Sequence, residues 1–315
     1  MNELEIALIV DRRYLDPLTT TLWSLLNSNI ASDLTRITVV YNLIEAEDER
    51  YIGPFTQIIS KFIELSNQKL RAFRFERGPF DSFNRLHFNA TILNKLLLPE
   101  SINSESNILF IVDAGLVVGR QIKPFVEECR LKANRPIAAF TSPKENSFGE
   151  IREYPAGVIL MINVQAYKDA GITNRLISYF REYHSTLLYG EQDLLFEVLH
   201  PTELTSFESR YVKIHFDLAT FSRWDEINDL TDLVNKQDYL YWKYVGSAKP
   251  WLYGIKNPIA AHYFNAQASL PNELQQILEN VRFNQKTDAL NPAFDLMRNQ
   301  DAIFKSYLKH SFRLG

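Results

Sequence analysis

The first half of the chain alternates short β-rich stretches with segments in which apolar residues recur at helical spacing. One of these helices is marked by Asp16, which suits an N-cap, followed by Pro17 at the first helical position. Such alternation predicts parallel strands joined by crossover helices. The predicted strands are Glu5–Val10, Arg36–Tyr41, Leu70–Phe75 and Asn107–Val112, and the predicted helices begin near Asp16 and cover Tyr51–Asn67 and Asn84–Leu98.

The second half has a more mixed pattern, which fits one continuous mixed sheet. We therefore predict an α/β domain over residues 1–256 with a mixed, mostly parallel central sheet flanked by helices. Residues 257–315 are amide-rich and helical in period, and we predict a helical C-terminal extension there. The remaining predicted strands are Pro136–Thr141, Gly157–Asn163, Tyr211–Phe216 and Asp238–Val245, and the remaining helices lie near Val164–Ser185 and Gln192–Leu199.

The stretch Asn107–Val112 is an unbroken apolar run, which predicts a central strand covered on both faces. It ends at Asp113, Ala114 and Gly115. Ligands of open α/β sheets bind outside the carboxyl ends of the strands. We therefore expect a ligand site at Asp113.

Composition narrows the class of protein. The chain has 315 residues, of which 46% are hydrophobic and 23% charged, so disordered and fibrous classes are excluded. A net charge of −4 argues against binding nucleic acid through bulk positive charge. No apolar run approaches the ~20 residues needed to cross a bilayer. The single cysteine, Cys129, cannot form an internal disulfide, and acidic Glu3 and Glu5 are unlike a secretory signal, so we expect a cytoplasmic protein.

The end of the chain interleaves basic and apolar residues. Lys305, Lys309, His310 and Arg313 alternate with aromatic and aliphatic side chains. Two interpretations stay open: an ordinary C-terminal helix, or a segment that makes peripheral contact with an anionic membrane surface.

Several common chemistries lack their motifs. The 11 glycines are spaced so that neither a GxGxxG fingerprint nor a P-loop occurs. There is also no HExxH, no CxxC and no GxSxG. Dinucleotide-binding, P-loop, zinc-peptidase and α/β-hydrolase functions therefore lose support.

Five segments, taken in order, are more specific than any one of them. They are Ile6–Tyr14 with Leu22–Leu25, Asn107–Gly119, Tyr154–Asn163, Tyr189–Asp193 and Tyr244–Trp251. In this order they resemble five segments of the retaining glycosyltransferases of family 8. The first two are the family's opening strand with its D-x-N-Y turn and the strand with the D-x-D motif. The other three are the motifs F-N-(S/A)-G-V-x-L-I-N, Y-x-D-Q-D and H-(F/Y)-x-G-x-x-K-P-W. That family has the GT-A fold and includes bacterial lipopolysaccharide galactosyl- and glucosyltransferases and glycogenin.

The resemblance implies a UDP-sugar donor, a glycan or glycolipid acceptor and a metal ion at the diphosphate. The family holds Mn²⁺ with two D-x-D carboxylates and a histidine, and the matching positions here are Asp113, Gly115 and Lys243. Glycine offers no ligand and a protonated lysine has no lone pair, so Asp113 alone survives as a metal ligand. Mn²⁺ or Mg²⁺ bound at Asp113 and a site without metal stay as alternatives.

Charge counting offers a metal-free route. A divalent ion with two carboxylates and a neutral histidine sums to zero, and so does Asp113 with Lys243. We hypothesise that the Lys243 ammonium lies at the former metal position and, with Lys249, stabilises the diphosphate. The alternative is that Lys243 is a solvated strand residue.

The resemblance also implies donor-binding residues near the start of the chain. Asp11 and Tyr14 match positions that contact uracil and ribose. Arg13 replaces an asparagine and either reaches phosphate or faces water. Lys95 replaces an arginine that supports the donor site, and a surface lysine is its alternative interpretation. Gly246 belongs to the segment that ends in K-P-W.

For the reaction centre, the resemblance indicates Gln192 and Asp193. A neutral amide at Gln192 is suited to stabilise a short-lived oxocarbenium ion or to orient the acceptor. Glu191 and Pro155 depart from the family's aspartate and asparagine. Two functions follow as alternatives: a retaining hexosyltransferase using UDP-glucose or UDP-galactose, and an inactive relative that acts as a nucleotide- or glycan-binding or regulatory partner subunit.

Overall fold

The computed structural model describes twelve stretches of the chain. They are residues 4–30, 34–67, 69–85, 88–104, 106–119, 122–132, 134–145, 149–207, 213–217, 241–245, 251 and 261–288. The strands are β1 (Leu4–Val10), β2 (Leu34–Asn42), β3 (Leu70–Phe75), β4 (Asn84–Arg85), β5 (Phe88–Asn89), β6 (Ile108–Val112), β7 (Leu116–Val118), β8 (Ile137–Glu145), β9 (Ile151–Asn163), β10 (Leu204–Ser206), β11 (Lys213–Asp217) and β12 (Tyr241–Val245).

The helices fill the connections between these strands. They are α1 (Leu15–Leu26), α2 (Ile52–Leu65), α3 (Ala90–Asn94), α4 (Leu98–Ser101), α5 (Lys123–Leu131), α6 (Val164–Asp169), α7 (Ile172–Tyr183), α8 (Glu191–Val198), α9 (Ala261–Ala268) and α10 (Asn272–Asp288). A single 3₁₀ turn, Lys95–Leu97, joins α3 to α4.

The main sheet has seven strands in the order β10-β8-β9-β6-β1-β2-β3. All neighbouring pairs are parallel except those made by β9, which runs antiparallel between β6 and β8. This confirms the predicted mixed, mostly parallel sheet. The chain moves from β1 to β2 and β3 on one side, whereas β6 lies on the other side of β1, so the order reverses between β1 and β6.

Burial on both faces explains the continuous apolar runs of the central strands. Every residue of β1 and of β6 is buried. Ile6 and Leu8 point into the layer that contains α1 and α2, whereas Ala7 and Ile9 point into the layer that contains α7 and α8. Successive side chains of a strand face opposite sides, so a strand covered twice needs apolar residues at every position.

A smaller three-stranded sheet has the order β11-β12-β7. β12 is antiparallel to β7, and its register places Lys243 opposite Leu116. The predicted strands Tyr211–Phe216 and Asp238–Val245 are confirmed over their described parts, and residues 211–212 and 238–240 lie outside the described residues.

Three predicted helices differ from the structure. The first begins at Leu15 with Tyr14 as its N-cap, so Asp16 lies within the first turn and the prediction that it is the N-cap is wrong. The helix expected over Asn84–Leu98 begins only at Ala90, because Asn89 is extended (φ −129°) and its side chain caps the Thr91 amide. The helix expected over Val164–Ser185 is split at Gly171, whose left-handed φ of +59° stops α6 before α7 begins.

The C-terminal helices share the core of the sheet. Leu270, Leu274, Leu278 and Val281 are buried in the same cluster as the residues of β1 and α1. The proposed boundary at residues 256/257 stays a prediction. No helix within the described stretches is long and apolar enough to cross a membrane, and Lys305, Lys309, His310 and Arg313 lie outside them.

We expect Leu274→Ala to lower the free energy of unfolding by about 2–5 kcal/mol, because it leaves a cavity in the shared core. The measurement is urea unfolding followed by circular dichroism. Gln276→Ala, on the exposed side of the same helix, is the matched control and should change stability by less than about 0.5 kcal/mol. Equal midpoints for the two variants would contradict the packing described here.

Candidate active site

The candidate site lies where the strand order reverses. Asp11 follows β1 and Asp113 follows β6, and these two strands are parallel neighbours. Both acidic residues therefore lie at the carboxyl ends of the central strands. Open α/β sheets bind ligands at this end of the sheet.

Asp11 is buried and saturated with hydrogen bonds. Arg13 donates from its backbone N–H (2.9 Å), Nε (3.1 Å) and Nη2 (2.7 Å), Asn89 from Nδ2 (2.8 Å) and Thr91 from Oγ1 (3.1 Å). Burial alone would raise the pKa of Asp11, but the charge and hydrogen bonds of Arg13, helped by Asn89, lower this pKa to about 2. A ligand N–H that binds Asp11 must therefore displace one of these donors.

The Arg13 guanidinium forms an ion pair with the carboxylate of Asp11, two residues earlier in the chain. Burial lowers the pKa of Arg13, but the attraction to Asp11 outweighs it and raises this pKa.

The neighbouring Tyr14 is partly buried, and its ring centroid lies 6.0 Å from that of Trp251. Burial raises the pKa of Tyr14 to about 12, with a further contribution from Asp11 and Asp113 against the opposing effect of Arg13. The phenol is therefore neutral at physiological pH.

Lys95 is the most buried charged group of the site. Its side chain is 1% exposed, and Nζ donates to Asp113 Oδ1 (2.8 Å), Glu191 Oε1 (2.9 Å) and the carbonyl oxygen of Gly157 (2.6 Å). An ammonium group has three N–H donors, so all of them are used. The interpretation of Lys95 as a surface lysine is therefore wrong, because this side chain lies between the end of β6, the middle of β9 and the start of α8.

Lys95 and its two acidic partners are close enough to shift the pKa values of Lys95 and Glu191. Burial lowers the pKa of Lys95, but attraction to Asp113 and Glu191 raises it above its usual range. Burial raises the pKa of Glu191, and repulsion by Asp113 adds to this against the attraction of Lys95. Glu191 Oε2 is buried and has no hydrogen-bond partner in the described part of the chain.

Gly157 is required by the close approach of Glu191. A Cβ placed on residue 157 would lie 2.2 Å from Glu191 Oε1, so any larger residue would push the carboxylate away from Lys95. Sequence reasoning did not group Gly157 and Glu191 with Lys95. The available signal was a glycine within the bulky residues of Tyr154–Asn163.

Asp193 organises the loop that precedes α8. Its Oδ2 accepts from the backbone N–H groups of Leu188 and Tyr189 (both 2.7 Å), and its Oδ1 accepts from Tyr154 Oη (2.8 Å) and Lys144 Nζ (3.1 Å). Burial raises the pKa of Asp193, but these hydrogen bonds, with the charge of Lys144, lower it overall. Both carboxylate oxygens of Asp193 therefore accept hydrogen bonds.

Gln192 lies between two constrained acidic residues at the start of α8. It is half-buried, and its side-chain amide makes no hydrogen bond to any residue in the described stretches. Its neighbour Glu191 is joined through Lys95 to Asp113. Within the described stretches, the amide therefore keeps its hydrogen-bonding groups for a ligand.

The D-x-D positions do not fit a carboxylate-bound divalent ion. Gly115 has a φ of +87°, and a Cβ there would lie 2.5 Å from Cη2 of Trp251, so the indole fills the space of a second ligand. The Asp113 carboxylate already accepts from Lys95. Within the stretches that the structure describes, no group of three His, Cys, Asp or Glu side chains is arranged to hold a metal.

Of the other residues expected at the diphosphate, the structure describes only the backbone of Lys243. The register of β12 places Lys243 opposite Leu116, one residue after Gly115. The Lys243 side chain, Gly246 and Lys249 lie outside the described residues.

Three solved structures to which this chain is similar are glycosyltransferases. A galactosyltransferase, LgtC, in complex with donor and acceptor sugar analogues has a TM-score of 0.64 at 16% identity over 87% of this chain and 99% of its own. The bifunctional glycosyltransferase WbbM has a TM-score of 0.62 at 14% identity over 88% of this chain and 51% of its own. GlyE of Streptococcus pneumoniae has a TM-score of 0.59 at 18% identity over 91% of this chain and 64% of its own. The fold is therefore that of GT-A glycosyltransferases.

The sequence places the chain within one family of that class. A profile described as "Glycosyl transferase family 8" matches residues 5–254. The chain belongs to this family, which confirms the resemblance of the five segments. No curated protein sequence matches it significantly.

The pKa of Asp11 predicts a loss of stability in acid. The folded pKa of about 2 lies below the ordinary value of 3.8, so the contribution is complete above pH ~4 and is lost as the pH falls towards 2. Between pH 6 and pH 2.5 we expect wild type to lose about 1–2 kcal/mol more stability than Asp11→Asn. Urea unfolding at both pH values measures this, with exposed Glu64→Gln as control. Parallel losses in wild type and Asp11→Asn would contradict the prediction.

Lys95→Met should lower the free energy of unfolding by about 3–5 kcal/mol, because it leaves two carboxyl groups without their buried cation. Chemical denaturation measures the change. Lys168→Met, at an exposed position of α6, is the matched control and should have an effect below about 0.5 kcal/mol. If the two variants were equally stable, Lys95 would not have the role assigned to it.

Proposed function

We propose that this family 8 glycosyltransferase moves a hexose, glucose or galactose, from a UDP-sugar to a glycan or glycolipid acceptor with retention of configuration. The observation that carries the proposal is the cluster at the carboxyl end of β6, where Lys95 joins Asp113 to Glu191, the residue before Gln192. LgtC, with the same fold, is a galactosyltransferase solved with donor and acceptor sugar analogues.

The nucleoside is assigned to the turn after β1. Tyr14 offers a neutral aromatic face, and Asp11 offers an ionised carboxylate to a base N–H. The Thr91 hydroxyl can rotate, so it is the donor that exchanges most easily when a base N–H approaches Asp11. Arg13 keeps this carboxylate ionised and fixed.

The diphosphate needs positive charge where the leaving group develops negative charge. The described donor set does not suit a carboxylate-held ion, since the Trp251 indole fills the space beside Gly115. We assign this charge to Lys243 and Lys249, with Gly246 between them in the chain. The pairing of Lys243 with Leu116 supports the assignment, because it brings β12 beside the Asp113 turn.

Gln192 is assigned to the reacting face of the sugar. In front-face transfer the acceptor hydroxyl attacks the anomeric carbon from the side on which UDP departs, and the departing phosphate oxygen takes the proton. The amide carbonyl of Gln192 would stabilise the positive charge that develops on the sugar. Asp193 holds the loop before α8 and so positions Gln192.

A second candidate function rests on the altered metal motif. A relative that has lost its metal ligands can keep nucleotide binding without catalysis and act as a partner or regulatory subunit. The engaged Asp113 carboxylate and the filled space at Gly115 favour this candidate.

An assay of UDP release with a panel of UDP-sugars separates the two candidates. We expect release of UDP without added divalent ion and no inhibition by EDTA. UDP binding without release would instead support the binding protein, and activity that appears only with Mn²⁺ or Mg²⁺ would refute the role of Lys243.

Lys243→Ala should weaken UDP binding by about 10- to 100-fold, because it removes a charge-assisted contact to the diphosphate. Isothermal titration calorimetry measures this. Lys168→Ala, at an exposed position on α6, is the matched control and should bind UDP as wild type does. An unchanged dissociation constant for Lys243→Ala would make Lys243 a solvated strand residue.

Gln192→Ala should lower kcat by about 100-fold with little change in the KM of the donor, because the lost interaction acts on charge formed in the transition state. Steady-state kinetics with the best donor of the panel measure both constants. A rise in KM alone would place Gln192 in ground-state binding.

A further inference from the structure

Three aromatic rings connect the C-terminal helices to the candidate donor site. The centroid of the Trp251 ring lies 6.0 Å from that of Tyr14 and 5.3 Å from that of Tyr263, and both contacts are tilted. The edge of the same indole lies against Gly115. Trp251 thus contacts the turn after β1, the turn after β6 and helix α9.

Tyr263 is held by hydrogen bonds of its hydroxyl group as well as by packing of its ring. It is completely buried, and its hydroxyl donates to Asp16 Oδ1 at 2.8 Å and accepts from Gln267 Nε2 at 2.9 Å. Arg282 Nε donates to the other oxygen of Asp16 at 2.5 Å. One buried carboxylate on α1 therefore holds residues from both α9 and α10.

The same helices reach the turn that carries Asp11. Gln285 Nε2 donates to the carbonyl oxygen of Arg12 at 2.7 Å, next to the Arg13 that clamps Asp11. The C-terminal helices therefore contact the donor-site turn in two ways: directly at Arg12, and through Trp251 at Tyr14.

We propose that Tyr263, held by Asp16, is a positioning residue that sets the Trp251 ring between Tyr14 and Gly115 and thereby sets donor affinity. An indole held against Tyr14, Tyr263 and Gly115 has fewer alternative orientations before the ligand arrives, so less entropy is lost on binding. The inference rests on the proposed function, which assigns Tyr14 to the nucleoside of the donor. It adds that α9 and α10 control binding without touching the donor.

Three variants separate positioning from general stability. Tyr263→Leu removes the ring, and Tyr263→Phe keeps the ring without its hydroxyl. Ser269→Ala removes the hydrogen bond from Trp23 Nε1 (2.9 Å), which joins the same C-terminal segment to α1 away from Trp251. We expect Tyr263→Leu to raise the donor KM about tenfold with kcat within about twofold of wild type. Tyr263→Phe should restore most of the affinity, and Ser269→Ala should leave the KM unchanged.

A spectroscopic readout decides the positioning claim without any donor. The emission of Trp251 is obtained as the difference between each protein and its counterpart carrying Trp251→Phe. Tyr263→Leu should shift this difference emission to longer wavelength, whereas Ser269→Ala should not. No shift, or an equal shift in Ser269→Ala, would overturn the inference, as would an equal rise in KM for both variants. If wild type neither binds UDP nor releases it, the proposed function fails, and the Trp251 emission still tests the role of Tyr263.

Discussion

The site depends on one buried ammonium group. Lys95 can keep its charge away from water only because Asp113, Glu191 and the Gly157 carbonyl accept its three N–H groups. These acceptors come from the end of β6, from β9 and from the start of α8. One interaction therefore fixes the distance between the strand that carries Asp113 and the helix that presents Gln192.

A second ion pair uses the same physics at the neighbouring strand. Arg13 neutralises Asp11 within a single turn, and Lys95 is shared between Asp113 and Glu191, so both of these cations are already paired with acidic side chains. In the proposed function, the positive charge that meets the diphosphate must therefore come from elsewhere, and β12 is the strand that pairs beside Gly115.

Predictions from sequence succeeded where the signal is local. The run Glu5–Val10 and the run ending at Val112 are strands because both faces of each are buried. The prediction failed at Asn89, which stays extended because its side chain reaches Asp11, 78 residues away in sequence. The prediction also failed at Gly171, where a glycine ends one helix before the next begins. The helical spacing of apolar residues on both sides of Gly171 had predicted one continuous helix.

By itself, the sequence determined the alternation of strands and helices, the resemblance to family 8 and the glycine at position 115, which offers no side-chain ligand. Each of these depends on residue types and spacing along the chain. Only the tertiary structure showed that Lys95 is buried, that Glu191 and Gly157 belong with it, and that Trp251 occupies the space beside Gly115. The physical reason is that burial and ion pairing depend on which residues meet across the sheet, and hydrophobic period carries no information about those partners.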